Sequence, residues 1–111
     1  MPISESVGQV LVSANSDRSA ATTLAGSIQS GDVYIFAEPP TGKIVTSVDF
    51  YLDGVLVQTE SNPPYDFNGG DVDAADPFDV TSELSAGDHR IKAVFRTATG
   101  GGSTKVTFTV R

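Results

Sequence analysis

The stretch "VDFYLDGVLVQTESNPPYDF", residues 48–67, alternates apolar and polar side chains, turns at Asp53-Gly54, alternates again and breaks at Pro63-Pro64. Successive residues of a β-strand point to opposite faces. Val48, Phe50 and Leu52 therefore share one side, and Asp49, Tyr51 and Asp53 the other. The apolar set belongs in a core, so this strand is packed on one face and wet on the other. Asp-Gly suits a two-residue type I′ turn, whose central positions both need positive φ. The stretch predicts a hairpin, out along Ile44–Leu52 and back along Val55–Thr59.

The same period recurs on both sides of this hairpin. Downstream, Ile91, Ala93 and Phe95 oppose Arg90, Lys92, Val94 and Arg96, while Val106, Phe108 and Val110 oppose Lys105, Thr107 and Thr109. Upstream, Val10–Val12, Leu24–Ile28 and Val33–Ala37 are strand candidates, the last stopped by Pro39-Pro40. Pro63–Phe67 adds a short strand, and Thr81–Leu84 a single helical turn that Asp79 would cap. Gly100–Gly102 falls in the expected connection Thr99–Ser103, with no helix behind it to make a phosphate cradle. No segment sustains a helical 3.6-residue period. Seven or eight strands at this spacing predict an all-β, antiparallel β-sandwich. It forms one domain, 1–111, with residues 1–6 frayed and Phe50, Leu52, Ile91, Phe95, Val106 and Phe108 at its centre.

Composition narrows the function classes. The chain has 111 residues, no cysteine and a net charge of −7. That excludes a disulfide frame and thiolate metal sites. Lys and Arg are absent between Ile44 and His89, where ten of the fourteen acids fall. Such a middle repels phosphate backbones, so nucleic acid is not an expected partner. No apolar run is long enough to span a bilayer, so membrane insertion is not expected either. Met1–Ser6 lacks the basic and apolar regions of a signal peptide.

With the hairpin, the strand "PPYDF" and the later segment "AGDHRIKAVFRTATGGGSTKVTFTV" together, the chain resembles bacterial immunoglobulin-like (Big) domains. The elements that carry the resemblance are Val48–Gly54, Pro64–Phe67, Gly87–His89 and Gly100–Val110. The resemblance implies an immunoglobulin-like sandwich of a secreted or surface protein, with any signal peptide outside this chain. It also implies a non-catalytic accessory role: spacing, presentation or adhesion. The segment Asn68–Thr81 is longer and more acidic than the usual connection of that family, and the first third of the chain matches less sharply.

Three chemistries merit weighing. His89, the only histidine, has no nucleophile elbow or other triad spacing around it, and is expected to close the end of the core or bond to backbone. In the acidic loop, Asp71, Asp73 and Asp76 could offer oxygens to Ca²⁺, which accepts irregular loops; a solvated loop is the alternative, and no cofactor is required. Polysaccharide binding would use exposed aromatic rings. Tyr51, Tyr34 and Tyr65 are the candidate platforms, with Asp49 as an acceptor for sugar hydroxyls, although most rings in so small a domain are needed inside. The final strand, with Lys105 and Arg111, reads as an edge protected by charge, or as a docking edge for neighbouring domains. Self-assembly into a surface filament or phage particle is a further alternative to an isolated monomer.

Overall fold

The computed structural model describes residues 8–40, 42, 44–70, 74–98 and 100–111; the expected frayed start at 1–6 lies outside them. In chain order the elements are β1 (Gln9–Ser13), β2 (Thr22–Thr23), β3 (Ile28–Gln29), β4 (Asp32–Glu38), β5 (Val45–Leu52) and β6 (Val55–Glu60). There follow β7 (Tyr65–Asp66), β8 (Phe78–Asp79), the single-turn helix α1 (Val80–Glu83), β9 (Gly87–Thr97) and β10 (Gly100–Val110). The count exceeds the expected seven or eight because β2, β3, β7 and β8 have two residues each. Two residues cannot display a period.

The strands form two sheets. One has the order β2-β1-β4-β7, with β8 also on β4; the other has the order β3-β10-β9-β5-β6. Pairing is antiparallel except for β3, which runs parallel to β10. The opening of the chain therefore changes sheets between β2 and β3, around the fully buried Leu24. Val10, Val12, Val33, Ile35 and Ala37 of the first sheet meet Val48, Phe50, Ile91, Ala93, Phe95, Val106, Phe108 and Val110 of the second in one buried cluster. Phe67 stands edge-on to both Phe50 and Phe78, at 5.6 and 5.1 Å between ring centres, a favoured aromatic geometry. Of the six expected central residues, five are buried and Leu52 packs partly buried at the margin.

Local signals are borne out. Asp53 and Gly54 have φ of 50° and 89°, so the hairpin closes through the expected positive-φ pair. Asp79 caps α1, accepting from the backbone N–H groups of Thr81 and Ser82.

Two expectations are corrected. Gly100–Gly102 lies inside β10 rather than in the connection, because β9 and β10 pair from Thr97 with Gly100 onward. The glycine at 101 is required by contact: a Cβ there would sit 1.9 Å from the Phe95 carbonyl oxygen. Gly101→Ala is therefore expected to cost about 1–3 kcal/mol, as overpacking does, while Gly102→Ala, which meets nothing within 4 Å, should be near neutral. Chemical denaturation of both variants checks this. The final strand is also not a free edge along its whole length, since its end is covered by β3. The outer strand on the other side of that sheet is β6, where Val55, Leu56 and Val57 are all exposed.

Candidate functional site

The sandwich sends the tyrosines to three different places. Tyr65 is 4% exposed and its hydroxyl donates across the sandwich to the Val45 carbonyl at 3.1 Å. It pairs with Ala37 in register, so it shares the inward side of that sheet and cannot present a platform. Tyr34 is half-buried and, with Phe36, faces out from the first sheet, because Val33, Ile35 and Ala37 take the core side. Tyr51 faces out from the second sheet. Tyr34 and Tyr51 thus lie on opposite outer faces and cannot hold one ligand.

The carboxylates also sort by position. Asp49 was expected as an acceptor for ligands, yet it is 6% exposed. Arg96 donates Nε to it at 2.7 Å, and Thr59 donates its hydroxyl at 2.9 Å. Its oxygens are occupied within the fold. Asp71 and Asp73 lie outside the described residues. Asp76 is exposed, and its backbone N–H donates to the Gly69 carbonyl at 2.9 Å. Among the described residues no three acidic or histidine side chains gather as a metal set.

Ser85, His89 and Asp53 do come together, in an arrangement that resembles a triad only superficially. His89 Nδ1 lies 2.6 Å from Asp53 Oδ2, and Nε2 lies 2.7 Å from the Ser85 carbonyl oxygen. Both ring nitrogens face acceptors, an arrangement that imidazolium, with a proton on each, satisfies in full. The Ser85 hydroxyl is 3.5 Å from Nε2, whose lone pair is not available to take its proton. In that state His89 does not serve as a general base toward Ser85. The ring, beside Phe108, ties the hairpin turn to the start of β9, with the Arg90 N–H also donating to Asp53 at 2.8 Å.

This pair makes stability depend on pH. The Asp53 hydrogen bond, partly opposed by burial, raises His89 above the ordinary imidazole range, with help from the Ser85 carbonyl and the charges of Asp53 and Asp88. Burial pulls Asp53 upward, but the His89 and Arg90 hydrogen bonds and their charges outweigh it and hold the carboxyl below the usual range. The His89 contribution is complete below about pH 6.5 and is lost as pH rises through its raised folded value. That of Asp53 is complete above about pH 4 and is lost as pH falls through its lowered value. The pair stabilises most between those limits. Melting temperature should fall from pH 6 to pH 9 in the parent, and His89→Gln should remove that part of the slope; parallel profiles would contradict it.

What remains open lies on the outer face of the second sheet. Strand register sets Lys105 opposite Lys92, Lys92 opposite Tyr51, and Tyr51 opposite Leu56. Lys92 Nζ stands over the Tyr51 ring, 5.6 Å from its centre. A groove of about 470 Å³ runs here between Tyr51, Asp53, Gly54, Arg90, Lys92 and Lys105. A second, of about 630 Å³, shares Lys92 and continues past Val94 to Thr97. Alternation identified each side chain as outward, but the cationic row itself was not anticipated.

In fold, the chain is a fibronectin III- and immunoglobulin-like β-sandwich. It is similar to a chain from the fibronectin(III)-like modules of Clostridium thermocellum CbhA, with a TM-score of 0.52 and 17% identity over 91% of this chain and 93% of that one. No family model matches the sequence, and no curated protein matches it. The resemblance to bacterial immunoglobulin-like domains is therefore supported at the level of the fold.

Proposed function

We propose that this chain is a non-catalytic accessory module of an extracellular bacterial protein, one that spaces, presents or adheres. The observation that carries the reading is the state of His89: both ring nitrogens are consumed by Asp53 and the Ser85 carbonyl. The group best able to move protons near neutrality is thus committed to structure. Likeness of fold to fibronectin(III)-like modules over nearly the whole chain supports the same reading. Incubation with a panel of polysaccharides and ester substrates should give no turnover above buffer. Turnover abolished by one polar substitution in a folded variant would refute the proposal.

A second reading, attachment to polysaccharide, is favoured by the groove beside Tyr51. Tyr51 is half-buried with its outer side open to the groove, and a ring beside polar side chains is how sugar faces are held. Affinity electrophoresis tests it: retardation by a soluble polysaccharide, lost in Tyr51→Ala with melting unchanged, is the expected result. Migration of the parent unaltered by every polymer would leave the module a spacer.

A further inference from the structure

The geometry points to an anionic, uronic-acid-containing polysaccharide as the ligand of the Tyr51 face, an inference that rests on the carbohydrate-binding reading. Lys92 and Lys105 stand directly opposite each other on β9 and β10, with Arg90 two residues along β9. Like charges facing across a strand pair destabilise a sheet. In a chain with only seven Lys and Arg against fourteen acids, setting two lysines opposite each other runs against the general excess. Among the described residues neither lysine forms an ion pair with a carboxylate, whereas Arg90 already acts through its charge on Asp53. Arg96, farther along β9, is neutralised by Asp49. Local rules are broken where function requires it, and a bound anion would relieve this repulsion.

The rest of the lining selects among anions. Asp53 borders the same groove, held as an ionised acceptor by His89 and the Arg90 N–H. A carboxylate at that position repels phosphate, whose oxygens act chiefly as acceptors at neutral pH. A uronic acid suits both ends, with its carboxylate on Lys92 and Lys105 and its hydroxyls donating to the solvent-facing lone pairs of Asp53, whose side chain, unlike that of Asp49, is 45% exposed. Its apolar C–H face matches Tyr51 and the neighbouring Leu56, which is 52% exposed. A peptide strand has no backbone to pair with here, because β9 is bonded to β10 on one side and β5 on the other. The two grooves meet at Lys92 and follow β9 from Arg90 to Thr97, about 23 Å at strand rise, a track for a polymer rather than for a single sugar. Asp32 and Glu38 project from the opposite sheet. The thickness of the sandwich, with sheets about 10 Å apart, separates them from Lys92 and Lys105, so they do not pair with the cationic row.

Affinity electrophoresis and calorimetry with polygalacturonate and alginate, beside neutral hydroxyethylcellulose, polyglutamate and a single-stranded oligonucleotide, test the assignment. The polyuronates should retard the protein, less so as salt rises. Lys92→Gln and Lys105→Gln should each weaken binding by about tenfold, the scale of one charge-assisted contact, with melting temperature unchanged or higher. Equal binding of polyglutamate or the oligonucleotide would reduce the face to an ion exchanger and overturn the proposal. Retardation by the neutral polymer that depends on Tyr51 but not on the lysines would overturn it too, while leaving the carbohydrate-binding reading intact. Silence with every polymer would remove both and leave the spacer.

Discussion

Arg18→Met is expected to cost about 3–5 kcal/mol of stability, the loss typical of a buried ion pair stripped of one partner. Asp66 is 1% exposed, and Arg18 grips it with two hydrogen bonds, Nε to Oδ1 at 2.8 Å and a terminal nitrogen to Oδ2 at 2.6 Å. Asp66 pairs with Phe36 on the outer side of the first sheet, and the loop after β1 folds over it to deliver the guanidinium. Methionine keeps the length of the side chain and leaves the backbone strain at 18, where φ is 65°, unchanged. What it removes is charge, so the carboxylate stays buried uncompensated. A domain of this size has only about 5–15 kcal/mol in total, and a fall of about 15 °C or more in melting temperature follows. The double variant Arg18→Met, Asp66→Leu should recover most of the loss, because replacing both members of a buried pair with apolar groups is often neutral. A double-mutant cycle by urea denaturation measures this; additive losses would contradict it.

The second large effect sets neighbouring residues against each other. Phe50 is 0% exposed and stands edge-on to Phe67. Phe50→Ala should cost about 3–5 kcal/mol in lost transfer energy and cavity. Tyr51, next in sequence, looks out over the opposite face, half-buried beneath Lys92, and Tyr51→Ala should cost only about 1 kcal/mol, the span of strand preference. Similar losses for the two, read from denaturation midpoints, would mean that alternation does not divide this strand.

These two results mark the limits of what is legible in the sequence. Period, turn chemistry and capping act over a few residues, so the faces of β5, the Asp53-Gly54 turn and the Asp79 cap could all be read directly. Asp66 could not, because its partner lies 48 positions away in a loop without any period. Its neighbours Tyr65 and Phe67 turn into the core, but β7 has only two residues, too few to show a period. The cationic row shows a subtler gap. Arg90, Lys92 and Lys105 are each readable as outward, but their juxtaposition depends on register. A five-residue connection at Thr99–Ser103 would set Lys105 opposite Thr97; closing instead at Thr97 with Gly100 sets it opposite Lys92. Asp49 shows a related limit. Its outward direction is read correctly, but not the Arg96 side chain that covers it.

The inner face of the sheet β3-β10-β9-β5-β6 holds the fold together, and its outer face is the one proposed to meet the ligand. Amide chemical shifts of the isotope-labelled protein, followed while a short oligogalacturonate is added, examine that division residue by residue. Saturable shifts confined to Tyr51, Arg90, Lys92, Lys105 and their strand neighbours are predicted. Shifts centred on Tyr34 and Phe36 of the opposite sheet, or none at concentrations that saturate retardation in the gel, would contradict it.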